Sequence, residues 1–305
     1  MGVQDKVVIS CALSGAAANR QQCPYIPYTP EEYASETRRA RDAGAAVVHI
    51  HARKPEDGRP SYDVADYRAI TEAIVAEVPD IVINYSTGAI GIDREQRIAH
   101  IRELKPEIGA LNMGSLNYAI YSRSKKKFYV DAVFANPFGD IQFFLEAMKD
   151  AKVKPEHECF DSGHVNNVKI LADMGLGDPH PHFSLIMGIH GGIAATTENL
   201  VHQTQTLPAG SHWQVIGVRH PEQWCMVAAA LTMGGSVRVG LEDNFYTDRG
   251  VMATSNGDLV DKAARLAREI GREIAEPNEA REMLHLPVPE RAKGPVAATT
   301  EATGR

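Results

Sequence analysis

The sequence predicts an α/β chain closed into a (β/α)8, or TIM, barrel. Two observations predict it. Eight short apolar runs alternate with segments of helical period along the chain. The first run leads into Leu13-Ser14-Gly15-Ala16-Ala17, which lacks the Gly-x-Gly-x-x-Gly loop of open nucleotide-binding sheets. The 305 residues suit a barrel with loop insertions, and a 44% hydrophobic, 23% charged composition is that of a chain able to bury a large core.

The expected strands are Val7–Ala12, Ala46–His51, Ile81–Ser86, Gly109–Met113, Pro155–Asp161, His182–Met187, Trp213–Val218 and Ser236–Gly240. The first helix opens at Thr29-Pro30-Glu31-Glu32, where Thr29 caps, Pro30 suits the first turn and Glu32 completes a capping box. Gly44 stops it. Further helices are expected over Val64–Val78, Arg94–Leu104, Gly139–Ala151, Asn166–Met174, Thr197–Thr206 and Glu222–Met233. After the eighth strand, Leu259, Ala263, Leu266, Ala267, Ile270 and Ile274 repeat at helical spacing and predict a closing helix. Residues 1–288 thus read as one barrel domain with a C-terminal helix. Residues 289–305, rich in Ala, Thr, Gly and Pro, read as a mobile or subunit-contacting tail.

A net charge of −7 offers no basic footprint for nucleic acid or anionic lipid. No apolar run approaches the roughly 20 residues of a membrane span. Cys11, Cys23, Cys159 and Cys225 form no Cys-x-x-Cys pair and read as reduced thiols. The N-terminus reads straight into a strand without the pattern of a secretory leader, so a cytoplasmic location is expected.

His49 and His51 end the second strand. Residues two apart on a strand share a side, so both imidazoles face the barrel axis at the rim where barrel active sites lie. Such a pair can chelate zinc or a similar metal, although core histidines show the same spacing, as in His180-Pro181-His182. After the eighth strand, Glu242-Asp243 offers two carboxylates that can divide roles between a metal and a neighbouring base. Ser86 at the end of the third strand, and Asn112 and Gly114 at the end of the fourth, suggest a polar substrate floor. Arg238, within the eighth strand, needs a partner if it points inward, and Asp243 is the candidate.

These motifs give the sequence a specific resemblance. Leu13-Ser14-Gly15-Ala16, His49-Ile50-His51-Ala52-Arg53 with Asp57-Gly58-Arg59-Pro60, Ser86-Thr87-Gly88, Leu111-Asn112-Met113-Gly114-Ser115-Leu116-Asn117 and Arg238-Val239-Gly240-Leu241-Glu242-Asp243-Asn244 occur in order. So do Phe160-Asp161-Ser162-Gly163-His164 and Gly191-Gly192-Ile193. Over about Val7 to Leu286 the chain resembles the β-keto acid cleavage enzyme family, typified by 3-keto-5-aminohexanoate cleavage enzyme. The resemblance implies zinc held by His49, His51 and Glu242, and active-site roles for Ser86, Arg238 and Asp243. It implies a reaction of acetyl-CoA with a β-keto acid to give acetoacetate and a new acyl-CoA, in a homo-oligomer such as a tetramer. Two positions depart from the family pattern. Ala17 stands where aminohexanoate-cleaving members carry a glutamate for the substrate ammonium, and Ala110 replaces a threonine before the Leu-Asn-x-Gly motif. Both positions belong to the implied substrate site, and Ala17 favours a neutral or apolar β-keto acid. The alternatives are a metal-dependent barrel lyase or hydrolase acting without CoA, and a non-catalytic binding barrel.

Overall fold

The computed structural model describes residues 2–122 and 124–293. In chain order its strands are β1 (Ile9–Ala12), β2 (Val47–Ile50), β3 (Val82–Ser86), β4 (Ile108–Asn112), β5 (Leu116–Ser122), β6 (Lys127–Phe134), β7 (Lys154–Cys159), β8 (His182–Met187), β9 (His212–Gly217), β10 (Ser236–Val239), β11 (Tyr246–Asp248) and β12 (Val251–Met252). Eight of them close a parallel barrel in the order β1-β10-β9-β8-β7-β4-β3-β2. The strands β5 and β6 form an antiparallel hairpin outside the barrel, and β11 and β12 form a second. The helices are α1 (Pro30–Ala43), α2 (Val64–Glu77), α3 (Arg94–Leu104), α4 (Phe138–Ala151), α5 (Ser162–Leu171), α6 (Thr197–Thr206), α7 (Glu222–Thr232), α8 (Asn256–Glu269) and α9 (Pro277–Leu284). Among the described residues, no helix is long and apolar enough to cross a membrane.

The local signals act as expected at α1. The Thr29 side chain accepts from Glu32 N–H, Glu32 accepts from Thr29 N–H, and Gly44 ends the helix at φ 118°. At the closing helix the helical spacing outruns the helix itself. The closing helix α8 stops at Glu269, because Gly271 takes φ 81° and breaks the period. Ile274 instead bridges Val7 as extended chain, and a separate helix, α9, follows. The helix expected from Asn166 begins earlier, at Ser162, because Asp161 caps it by accepting from Gly163 N–H.

The apolar core lies between barrel and helices, where Ile9, Cys11, Val48, Ile50, Ile83 and Leu185 meet Tyr33, Ile70, Ile98 and Val227. The barrel interior is different. Barrel centres are commonly filled by layers of Val, Ile and Leu. Here Glu156 of β7 is the centre of a buried polar network. Asn84 of β3 and Ser184 of β8 donate to it, and Gln214 of β9 donates at 3.1 Å. Ser10 of β1 closes the set by donating to Gln214 at 2.8 Å.

At the base of the barrel, Glu107 receives the buried Arg281 of α9 at 2.6 Å and also Arg291. Arg281 further donates to the Asp80 carbonyl, and Arg291 to those of Pro79 and Ile81. Residues 290–292 form a 3-10 turn in this seal. The rest of the expected tail, residues 294–305, lies outside the described residues. All four cysteines are free thiols, with Cys225 exposed and the other three buried.

Candidate active site

The C-terminal ends of the strands open into a cavity of about 410 Å³. Its floor gathers His51, Ser86, Asn112, Glu158, Arg238, Glu242 and Asp243 from five strands and their following loops. Its walls are largely apolar, with Ile90, Tyr118, Ile120, Val130, Phe134 and Ile189 among them.

His49, His51 and Glu242 converge as the alternation of β2 requires. Each can offer one ligand atom such that all lie within 4.8 Å of one another. Glu242 lies 3.8 Å from His49 Nε2 and 3.5 Å from His51 Nε2. Both ring nitrogens of the buried His49 and Glu242 Oε2 have no hydrogen-bond partner. Buried nitrogens and carboxylate oxygens are rarely left so, and two imidazoles with one carboxylate form a donor set suited to a divalent cation with open positions. Burial and the nearby Arg238 charge depress His49 to about 3, which keeps its imidazole neutral and its lone pair free.

The triad rests on a built support. Tyr33 Oη and Ser14 Oγ lie 2.6 and 2.9 Å from the His51 carbonyl. Gly15 takes φ 61°, and a Cβ there would fall 2.6 Å from Glu242 Cγ, so the Leu-Ser-Gly-Ala motif leaves room for the ligand. Gly240 plays the same part at the end of β10, where a Cβ would meet the Ala12 carbonyl oxygen at 2.1 Å. Asn256, wholly buried at the start of α8, accepts from Leu241 N–H and donates to the Leu13 carbonyl, tying the two loops together.

Arg238 points inward and is almost fully buried. Its guanidinium donates to both oxygens of Asp243 at 3.0 and 3.1 Å, to Glu158 at 3.2 Å and to Glu242 at 2.6 Å. Burial opposes its charge, but three carboxylates overcome that and raise its pKa, so it stays a cation. Burial lifts Asp243 to about 6 and Glu158 to about 8, in each case against the pull of Arg238. Burial would lift Glu242 too, yet Arg238 and the two histidines hold it well below the usual carboxylate range. Ser86 Oγ accepts from Gly88 N–H at 3.1 Å, which leaves its own proton free to donate into the cavity.

The remaining positions separate. Asn112 lines the floor and donates to Glu158 at 2.6 Å. Ala17 lines the wall with Gly15 and Ala16, held by Arg53, which donates to the carbonyls of Ala16 and Ala18. Ala110 and Gly114 do not line the cavity. Ala110 is buried on β4 with its carbonyl taken by the Thr87 hydroxyl, and Gly114 makes room for the His164 ring, 2.4 Å from where a Cβ would stand. Sequence reasoning passed over Glu158. Its alternation with Glu156 along β7, both turned inward, was the available signal.

Fold and site define a TIM-barrel enzyme. The sequence profile of the beta-keto acid cleavage enzyme family matches residues 6–286. The 3-keto-5-aminohexanoate cleavage enzyme of Fusobacterium nucleatum subsp. nucleatum is 39% identical over 286 residues, 93% of this chain and 99% of that one. The 3,5-dioxohexanoate:acetyl-CoA acetone transferase of Paraburkholderia graminis is 34% identical over 304 residues, 94% of this chain and 97% of that one. The apo structure of ObcA shares the fold at a TM-score of 0.73 and 22% identity, covering 86% of this chain and 66% of that one. The chain belongs to the beta-keto acid cleavage enzyme family, and it is an enzyme of carbon–carbon cleavage with acyl transfer.

Proposed function

We propose that this enzyme converts a neutral or apolar β-keto acid and acetyl-CoA into acetoacetate and a new acyl-CoA, with zinc or a similar cation held by His49, His51 and Glu242. The observation that carries the reading is the His49–His51–Glu242 cluster, in which both His49 ring nitrogens and Glu242 Oε2 lack a hydrogen-bond partner, beside the buried Arg238 at the floor of one cavity.

A divalent cation in that cluster supplies Lewis acidity toward a β-keto acid. The carbon between the substrate's carboxylate and ketone loses a proton, forms a bond to the acetyl carbonyl carbon, and displaces CoA thiolate. The thiolate then adds to the original ketone carbon. The bond between that carbon and the former carbanion breaks, and the released carbanion takes back the proton removed at the start, giving acyl-CoA and acetoacetate with all atoms accounted for. Asp243, oriented by two hydrogen bonds from Arg238, takes the proton in this reading. Arg238, kept cationic, stabilises negative charge developing on substrate oxygens, and Ser86 donates its free hydroxyl proton to the same oxygens. Asn112 and Glu158 hold the arginine side of the floor in place.

Substrate preference follows from the walls. Each carboxylate lining the cavity is bonded to Arg238, and Ala17 adds none. A cationic tail therefore finds no partner, and an unpaired buried charge is costly. The test is a panel of β-keto acids offered with acetyl-CoA and zinc, with products read by mass. Acetoacetate with the matching acyl-CoA is expected for uncharged tails and little for 3-keto-5-aminohexanoate. Turnover that needs no acetyl-CoA would replace this reading with a lyase or hydrolase, and no product across a broad panel would overturn it.

A further inference from the structure

The β5–β6 hairpin joins the cavity to the most basic surface run of the chain. Tyr118 and Ile120 on β5, and Val130 and Phe134 on β6, line the cavity. Phe134 is at the reacting end, since its ring and Ser86 Oγ lie 3.6 and 3.4 Å from the same point beside Gly88. Lys125, Lys126 and Lys127 stand at the other end, all exposed. Among the described residues, none of the three pairs with a carboxylate. Lys125 Nζ instead lies 5.7 Å from the Tyr129 ring centre. Phe128 and Tyr129, beside the lysines, are more than half exposed. At about 3.3 Å per residue, Lys127 is roughly 23 Å along the ribbon from Phe134 and roughly 10 Å beyond the Ile120–Val130 pair. The mouth between carries two more basic groups. His190 bridges to Ala119, and the exposed Arg219 stands 3.4 Å from its ring, next in sequence to the lining residues Ile189 and Val218.

We infer that this hairpin is the coenzyme A clamp, with Lys125, Lys126 and Lys127 receiving the phosphates of the adenosine end and the ribbon lining the path of the pantetheine arm to the cavity floor. This rests on the acetyl-CoA reading above. The physical case is one of shape and charge together. A CoA thioester is apolar and hydrogen-bonding along its arm and strongly anionic at its far end. The ribbon is half-buried and apolar near the floor and cationic at the tip, at a separation of the same order as an extended arm. The chain as a whole carries −7 and repels such a ligand, so a local concentration of positive charge is needed to steer it in. The exposed aromatic rings beside the lysines offer a face for the adenine.

The test compares the full-length wild type with the Lys125→Ala/Lys126→Ala/Lys127→Ala variant. Calorimetric titration with CoA at low salt should show affinity weakened about ten- to a hundredfold in the variant, with the gap shrinking as salt is raised. 3′-Dephospho-CoA should bind the wild type more weakly than CoA and lose less on substitution. In turnover, KM for acetyl-CoA should rise. The kcat, the KM for the β-keto acid, and activity with the acetyl thioester of N-acetylcysteamine, which lacks the nucleotide, should hold. The triple Lys→Arg variant should restore affinity. CoA binding within twofold of wild type in the alanine variant would overturn the inference. So would equal losses on CoA and on the short thioester, or a change in oligomeric state with CoA affinity intact. A wild type that binds CoA but turns over no β-keto acid with acetyl-CoA would sink the parent reading, whereas normal wild-type turnover with unchanged variant affinity would sink only the clamp.

Discussion

His182 and His212 show how buried imidazoles weaken the folded chain in acid. They begin β8 and β9 side by side, with ring centroids 5.2 Å apart. Neither nitrogen of His182 has a partner, nor does His212 Nε2. Burial depresses His182 to about 3 and drives His212 well below its ordinary value. Both stay neutral in the folded chain while the unfolded chain takes up protons below about 6.5. Their contribution is therefore complete above pH 6.5 and is lost as pH falls from there toward 3. At pH 5 each such histidine costs about 2 kcal/mol. The variant His182→Met should flatten that slope, and urea melts at pH 7.5 and 5 would show it; an unchanged difference between the two pH values would refute the assignment. The same scale explains what could be read in advance. His49 and His51 were legible because strand alternation fixes their side, and Arg238 with Asp243 because a buried arginine needs a carboxylate. Glu158 was harder to see, since alternation in the expected strand Pro155–Asp161 puts Glu156 and Glu158 on one side without saying which, and only the neighbouring strands reveal that both turn inward onto hydrogen-bond donors.

At the level of elements, the loop after β1 carries a constraint that its composition does not advertise. Gly15→Ala places a methyl group against Glu242 at a backbone angle that disfavours side chains. The expected result is a folded protein with zinc affinity reduced at least tenfold, measured by competition with a chelating dye. Undiminished affinity would mean that Glu242 is not held by this contact. The eight barrel strands were predictable to within about two residues at most ends, because most are short apolar runs between turn signals; the polar β7 is the exception. The β5–β6 hairpin was not, since a register shift between Ile120 and Tyr121 breaks its alternation and leaves aromatic residues exposed. The end of α8 is hidden in the sequence because Ile270 and Ile274 keep helical spacing across Gly271, where the backbone turns away.

Taken as one body, the molecule separates what keeps it folded from what makes it act. The Glu107–Arg281–Arg291 seal lies at the base of the barrel, away from the cavity. Arg281→Ala removes a wholly buried cation from a nearly buried carboxylate and should cost about 3 kcal/mol. Turnover per folded molecule should be unchanged; a proportional fall in kcat at a temperature where the variant remains folded would contradict this division. The hub around Glu156 has a longer-range consequence. Asn84, Ser184 and Gln214 each donate to it, so altering any one leaves the buried carboxyl group in the middle of the barrel short of a donor. Ala17, Ile90, Ile120 and Ile189 belong to no such web. Wall residues can thus be exchanged one at a time, and acyl preference retuned, without disturbing the hub on which the barrel rests.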